Sequence, residues 1–275
     1  MRRLSWIFIA AGLLAVGFPA IGQEPEPAQG WILQEQELVP GGYYEFTFDY
    51  NEVERMQISR GDSKETGYKF AIALPPDFDP GKPQRVLIVS AAGNNAGETT
   101  GGDCAVFGAY ASACIESGWI CLATDSNLGN AGREDLSLLT TLKVLEGLWP
   151  GVKGWKYAVG GFSGGGKGCF EPCAILIKAK IQVIGAFLAG VNENRSEKYR
   201  KKYKAPASGY RKIRVFLSTG KEDQTATVSQ SKGVQDSFKS SGIRDTRMEI
   251  FDGGHEIHAP HVGEALKWFA EPGAR

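Results

Sequence analysis

The sequence lacks a charge excess of either sign, has few histidines, and has no apolar runs that would suggest a multi-span membrane protein. Among its 275 residues, 31 Lys and Arg balance 31 Asp and Glu. This balance argues against nucleic-acid binding and against an acidic, solvating tail. With 42% apolar and 23% charged residues, the composition is that of an ordinary globular protein and excludes collagen-like and disordered classes.

The N-terminus has the pattern of a secretory signal peptide. Two arginines precede an apolar run from Leu4 to Phe18, and small residues follow. The run is shorter than the roughly 20 residues of a comfortable membrane span, and its retention as an anchor is the alternative. We therefore expect a secreted or periplasmic protein with no stable membrane association after cleavage. The expected segments are a signal peptide at 1–22, an exposed leader at 23–40 and one domain at 41–275.

Export would place the five cysteines where disulfides persist. The odd count leaves at least one thiol free, and Cys121 is the candidate because its apolar surroundings predict a buried strand. Pairing of Cys169 with Cys173, or of either with Cys104 or Cys114, stays open. A cysteine metal site is not expected, because the chain has no CxxC pair.

The apolar pattern changes along the chain. Residues 43–49 and 68–74 alternate apolar with polar side chains, as antiparallel strands do. Further on, short β-branched runs alternate with segments of helical spacing, which predicts a mainly parallel sheet with helices on both faces. The predicted strands are 85–90, 119–124, 156–162, 181–188, 214–218 and 247–251, and the predicted helices are 106–117, 136–148, one from 164, 228–240 and 260–269.

Residues 190–212 carry eight Lys and Arg against two Glu. We interpret this segment as a solvated surface helix, with a rim that attracts anions as the alternative.

The segment Gly161-Phe162-Ser163-Gly164-Gly165 follows a predicted strand and precedes a predicted helix. A G-x-S-x-G pattern in that context predicts a nucleophile elbow, a sharp turn that projects the serine hydroxyl above the sheet edge. The alternative is a glycine-rich turn or a phosphate-binding loop. The Walker pattern is not met, because no Ser or Thr follows Lys167.

A serine nucleophile needs a base, and the base needs an acid that orients it. His255 follows the last predicted strand, and Asp223 follows the strand before it. Because the carboxyl ends of parallel strands lie at one edge of a sheet, we expect Ser163, Asp223 and His255 to meet there.

In their order and context, these three motifs resemble those of the α/β-hydrolase superfamily. Secreted polyester depolymerases, feruloyl and acetyl-xylan esterases and dienelactone hydrolases are similar members. The resemblance covers about residues 68 to 269 and implies a single α/β-hydrolase domain with antiparallel N-terminal strands and no cofactor. It implies Ser163 as nucleophile, His255 as general base and Asp223 as orienting acid, with Glu222 as the alternative acid.

The resemblance also implies an oxyanion hole made of backbone N–H groups. Gly164, directly after the nucleophile, is one expected donor, and Asn94 is the second, if Gly93 aligns with the glycine of the family. Many members have His-Gly in that loop, whereas residues 90–95 read Ser-Ala-Ala-Gly-Asn-Asn.

The expected function is an exported serine hydrolase that cleaves a small-molecule or polymer-borne carboxylic ester through an acyl-enzyme on Ser163. The first alternative is an inactive hydrolase-fold binding protein, which the altered oxyanion loop keeps open. The second is a metal-dependent hydrolase that uses His255, His258 and His261, although no HExxH is present.

Overall fold

The strands at the centre of the sheet are the segments whose sequence is apolar almost without interruption. The computed structural model describes residues 30–59, 67–90, 105–124 and 134–272. All five residues of Ile120–Thr124 and the four central residues of Arg85–Ser90 are buried. Such strands need cover on both faces, which parallel sheets obtain from the helices that connect their strands.

The described residues form ten strands and nine α-helices. The strands are β1 (Trp31–Leu33), β2 (Gln36–Leu38), β3 (Tyr43–Asp49), β4 (Gly67–Ala73), β5 (Arg85–Ser90), β6 (Ile120–Thr124), β7 (Lys156–Phe162), β8 (Val183–Ala189), β9 (Arg214–Gly220) and β10 (Thr246–Phe251). The helices are α1 (Glu52–Ser59), α2 (Ala105–Glu116), α3 (Glu134–Leu148), α4 (Gly164–Gly168), α5 (Phe170–Lys178), α6 (Ser196–Tyr203), α7 (Ala207–Tyr210), α8 (Val228–Ser240) and α9 (Ala259–Ala270). The strands β3 to β10 and the helices α2, α3, α8 and α9 lie close to the predicted segments, whereas β1, β2, α1 and α7 were not predicted.

Eight of these strands form one sheet in the order β10-β9-β8-β7-β5-β6-β4-β3. All neighbours from β10 to β6 are parallel, whereas β4 pairs antiparallel with β6 and with β3. This sheet confirms the predicted fold class, including its antiparallel N-terminal strands. The carboxyl ends of β7, β9 and β10 therefore lie at one edge, where the candidate residues follow.

Helices cover both faces of the sheet. Along β9, Val215 and Leu217 belong to one apolar cluster, and Phe216 between them belongs to the other. The first cluster includes residues of α3, α5 and α8, and the second includes residues of α2 and α9. The alternation follows from the strand period of two, which sends successive side chains to opposite faces.

Residues 31–38, which the sequence analysis assigned to an exposed leader, instead form the antiparallel hairpin β1–β2. Leu38 is buried, and the Trp31 ring packs edge-on against Phe78 and Trp149 at centroid distances of 5.2 and 6.0 Å. A large aromatic ring gains stability from such burial, which outweighs the polar composition around it. The predicted signal peptide, residues 1–22, lies outside the described residues.

The structure confirms Cys121 as a free, buried thiol, whereas the expected disulfides of Cys114, Cys169 and Cys173 are not formed. Cys114, Cys121, Cys169 and Cys173 are free thiols, and each is fully buried. Burial raises the pKa of the Cys169 and Cys173 thiols well above the ordinary value, so they stay protonated and pack as small apolar groups. Cys104 lies outside the described residues.

The basic segment forms the surface helix α6. Its Ser196, Tyr199 and Tyr203 face inward, and Lys198, Lys201 and Lys202 are exposed. None of the helices in the described part of the chain combines the length and hydrophobicity needed to cross a bilayer.

Candidate active site

The turn between β7 and α4 holds Ser163 in an uncommon backbone conformation. Its φ of 54° and ψ of −118° lie outside the regions that residues with a Cβ ordinarily occupy. Such a conformation costs free energy and persists only where neighbouring structure imposes it. The Ser163 N–H donates a hydrogen bond to the Ala189 carbonyl at 2.8 Å, and the Ser163 carbonyl accepts one from the Lys167 N–H at 3.1 Å. The strand therefore ends abruptly at the serine, as the G-x-S-x-G pattern predicts.

The flanking glycines make this sharp turn possible. A Cβ at Gly161 would lie 2.4 Å from the carbonyl carbon of Gly165 and 2.7 Å from the Gly166 nitrogen. No side chain fits at those distances, because non-bonded carbon atoms approach only to about 3.5–4.0 Å. The motif thus lets the end of β7 contact the first turn of α4.

The loops after β9 and β10 contact each other through their backbones. A Cβ at Gly220 would lie 2.1 Å from the Gly254 carbonyl oxygen. The Lys221 and Glu222 N–H groups donate hydrogen bonds to the carbonyls of Phe251 and Gly253, at 2.8 and 2.9 Å. This pairing brings the loop that carries His255 against the loop that carries Asp223.

The structure brings Ser163, His255 and Asp223 together. The His255 Nε2 atom lies 3.0 Å from Ser163 Oγ, and His255 Nδ1 lies 2.7 Å from Asp223 Oδ2. The Phe162 ring packs beside the imidazole, with 4.6 Å between the ring centroids. A hydroxyl, an imidazole and a carboxylate are therefore joined in sequence, at distances that permit proton transfer.

Asp223 is fixed more firmly than an ordinary surface carboxylate. Its side chain is fully buried, and its Oδ1 atom accepts hydrogen bonds from the backbone N–H groups of Thr225 and Ala226, at 2.7 and 2.8 Å. Burial raises the pKa of Asp223, but the hydrogen bonds from Ala226, His255 and Thr225 outweigh it and leave the pKa below the ordinary value. The neighbouring Glu222 is exposed, so Asp223 rather than Glu222 contacts the imidazole.

Gly190 approaches the imidazole from the loop after β8, and sequence reasoning did not single it out. Its φ is +57°, and a Cβ there would lie 2.9 Å from His255 Cε1 and 3.0 Å from Nδ1. The only sequence signal is a glycine directly after a predicted strand at the edge that holds the site.

Of the two predicted oxyanion donors, Gly164 is among the described residues and Asn94 is not. Gly164 is the buried first residue of α4, and its N–H belongs to the first turn, where no intrahelical carbonyl is available. Asn94 and Gly93 lie outside the described residues.

The histidines at 258 and 261 have other surroundings. The His258 ring stacks on Phe251 at a centroid distance of 4.6 Å, and the buried His261 places its Nδ1 atom 2.9 Å from Ser218 Oγ. Burial, reinforced by the nearby His258, lowers the pKa of His261. Within the described ranges, no group of three His, Cys, Asp or Glu side chains could hold a metal ion. The hypothesis of a histidine metal site has no support from this arrangement.

Comparisons with known proteins agree with the fold. A ferulic acid esterase superimposes with a TM-score of 0.55 and 12% identity, over 84% of this chain and 98% of that one. A lid-less α/β serine hydrolase from Xanthomonas campestris gives a TM-score of 0.53 and 15% identity, over 84% and 95%. For a Bacteroides ovatus protein assigned to dipeptidyl aminopeptidase IV, the TM-score is 0.50 and the identity is 13%. The match covers 82% of this chain but 35% of that protein. Neither family profiles nor curated sequences give a match.

The chain therefore has the α/β-hydrolase fold, as its sequence motifs imply. The neighbours with this fold include esterases and dipeptidyl peptidases, so the fold leaves the type of bond that is cleaved undecided.

Proposed function

We propose that this protein is a serine hydrolase that cleaves carboxylic esters through an acyl-enzyme on Ser163. The observation that carries the proposal is the hydrogen-bonded series from Ser163 Oγ to His255 Nε2, at 3.0 Å, and from His255 Nδ1 to Asp223 Oδ2, at 2.7 Å. A serine without such a partner is a poor nucleophile at neutral pH, because its hydroxyl stays protonated.

In the first half of the proposed reaction, His255 Nε2 accepts the Ser163 proton while Oγ attacks the carbonyl carbon of the ester. Asp223 holds the Nδ1–H of the ring, which leaves Nε2 free to act as the base and stabilises the imidazolium that forms. The imidazolium then donates the proton to the departing alcohol, and the acyl group remains on Ser163. Water attacks the acyl-enzyme in the second half, with His255 again as the base.

Negative charge develops on the carbonyl oxygen in both halves of the reaction. The Gly164 N–H, at the start of α4, is the proposed donor to this oxyanion, and Asn94 remains the proposed second donor. Loss of one such donor raises the barrier by about 3 kcal/mol.

An ester, rather than a peptide, is proposed as the substrate because the match covers 98% of the ferulic acid esterase but only 35% of the dipeptidyl aminopeptidase IV protein. The substrate is proposed to be a small molecule or to be carried on a polymer. Export by the predicted signal peptide belongs to the same proposal, and N-terminal sequencing of the secreted protein tests it: cleavage before Gln23 is expected.

Labelling with a fluorophosphonate, followed by assays with a series of p-nitrophenyl esters, tests the proposed nucleophile. We expect wild-type protein to be labelled at Ser163 and to hydrolyse short-chain esters, and Ser163→Ala to lose both properties. A chelator should leave both unchanged. Equal background rates in folded wild-type and Ser163→Ala protein, with no labelling, would instead favour the inactive binding protein.

A further inference from the structure

The edge of the sheet opposite the candidate active site carries a line of cations. In the order of the sheet, the strands β5, β7, β8, β9 and β10 are neighbours and parallel, so their amino ends lie side by side. Basic residues begin or closely precede each of these strands, and β9 itself begins with Arg214, which pairs with Asp245. The basic row is defined as one basic residue at each strand that forms no ion pair within the described residues, namely Arg85, Lys156, Lys180, Lys212 and Arg244.

The spacing of the basic row follows from the sheet. Neighbouring strands lie about 4.8 Å apart, so the starts of the five strands span about 19 Å. Arg85 and Lys156 are partners in the strand register, which fixes the first interval. Four of the five side chains are exposed, and Arg85 is half-buried.

Two carboxylates near this edge are paired with cations outside the row. Asp245 pairs with Arg214 at 3.1 Å, and Glu146 pairs with Lys153 at 2.6 Å. In the part of the chain that the structure describes, no ion pair involves a residue of the basic row. The cations of the row are therefore not neutralised by direct ion pairs, and such positive charge attracts anions and raises their local concentration.

Two shallow grooves add hydroxyl groups to this charge. One groove is lined by Lys180, Ser208 and Lys212, together with the apolar residues of the start of β8. The other is lined by Arg211, Ser240, Ser241 and Arg244. Because Arg211 and Lys212 are adjacent in the chain, the two grooves flank the same position on the edge.

We propose that the basic row is a docking surface for a linear polysaccharide that carries carboxylate groups. Cations at five neighbouring strand starts match a chain with repeated negative charges, and the serines in the grooves can hydrogen-bond to sugar hydroxyls. This inference goes beyond the proposed function, because docking requires no reaction at Ser163. Docking at the amino edge leaves the carboxyl edge, with the candidate active site, free to face ester groups on the same polymer.

Two other polyanions fit this surface less well. Proteins that bind at membrane surfaces insert apolar or aromatic side chains, and single-stranded nucleic acids stack their bases on exposed aromatic rings. The exposed large hydrophobic residues of the described ranges belong to none of the segments that lead into β7, β8, β9 or β10. They are Ile32, Val39, Tyr43, Val53, Leu139 and Ile250.

The test measures binding of the full-length mature protein to polygalacturonate, with neutral dextran as the comparison polymer. The row variant carries Lys180→Glu, Lys212→Glu and Arg244→Glu. The matched control carries the same charge change at three exposed lysines outside the row, namely Lys69→Glu, Lys143→Glu and Lys232→Glu. Thermal unfolding and circular dichroism verify that both variants fold.

We expect wild-type protein to bind polygalacturonate but not dextran, with affinity that falls as salt screens the charges. The row variant should bind about tenfold or more weakly, and the control should retain most of the affinity. Equal losses in the two variants would overturn the proposal, as would absence of binding by the wild type. Tighter binding to phosphatidylglycerol vesicles or to single-stranded DNA would also overturn it.

The outcome is independent of the esterase assay. Polygalacturonate binding without fluorophosphonate labelling would contradict the proposed function but support the docking surface. Labelling without polymer binding would support the proposed function but contradict the docking surface.

Discussion

Gly190→Ala is the substitution that most directly tests whether the position of His255 matters for the proposed reaction. The added methyl group would lie 2.9 Å from His255 Cε1 and 3.1 Å from Phe162 Cε2. Ordinary carbon contacts are about 3.5–4.0 Å, so the imidazole must move by about 0.6 Å or more. Because the Phe162 ring packs beside the imidazole and would itself meet the methyl group, the imidazole has little room to move in that direction. The shift disturbs the 3.0 Å contact between Nε2 and Ser163 Oγ.

Two effects follow, and they are measured separately. The φ of +57° costs an alanine about 1 kcal/mol of stability relative to glycine, before any steric strain is added. Misplacement of a catalytic group by about 1 Å costs up to about a hundredfold in rate, so we expect kcat to fall by about ten- to a hundredfold. The assay is kcat and KM on p-nitrophenyl acetate, with thermal unfolding of the same samples.

Gly233→Ala is the matched control. Gly233 lies on α8, and a Cβ there would meet no atom within 4 Å. We expect it to raise stability by about 0.5–1 kcal/mol, because alanine is the better helix former, and to leave kcat unchanged. A folded Gly190→Ala protein with the kcat of the wild type would refute the reasoning, since it would show that the ring can move without consequence.

Three further predictions concern groups near the site and in the core. Asp223→Asn should lower kcat by about 10³–10⁴-fold, and Glu222→Gln should leave it nearly unchanged, because only the buried carboxylate contacts the imidazole. The free energy of unfolding should decrease as the pH falls through about 6.5, less so in His261→Gln, because the unfolded chain protonates this histidine before the folded protein does. The four described thiols should react with a thiol reagent only after unfolding, and reaction in the native protein would contradict their burial.

Much of the fold could be predicted, because the apolar runs in the sequence correspond to the buried strands of the sheet. β7 and α8 have the predicted boundaries, and the two β-branched runs at 85–90 and 119–124 lie at adjacent positions of the sheet. Strands that are buried on both faces must be apolar throughout, so such a run admits few other interpretations.

The site was predictable to the extent that its residues follow strands in the chain. Ser163, Asp223 and His255 could be chosen because each lies just after a predicted strand, and parallel strands place those positions at one edge. Gly190 has the same location but no side chain, so the sequence does not distinguish it from a glycine that merely ends a strand. Its proximity to the imidazole depends on three-dimensional packing.

The wrong predictions depend on contacts between distant segments. Residues 24–27 suggested a solvated leader, but Trp31 packs against aromatic rings more than 40 positions further along the chain. The compartment expected for the protein suggested disulfides, yet disulfide formation depends on the distance and orientation of two side chains. Cys114, Cys169 and Cys173 are buried without forming one.

The arrangement of the basic row is another feature that depends on contacts between distant segments and could not be predicted from the sequence. A formal charge of zero argued against nucleic-acid binding. In the sequence, Lys156, Lys180, Lys212 and Arg244 are separated by 24 to 32 positions and form no motif. The parallel sheet makes them neighbours because each stands before a strand and the strands are adjacent. A sum over the chain cannot detect such an arrangement, since it does not depend on where each charge lies. The order of the strands, rather than the composition, therefore decides which charges are neighbours on this edge.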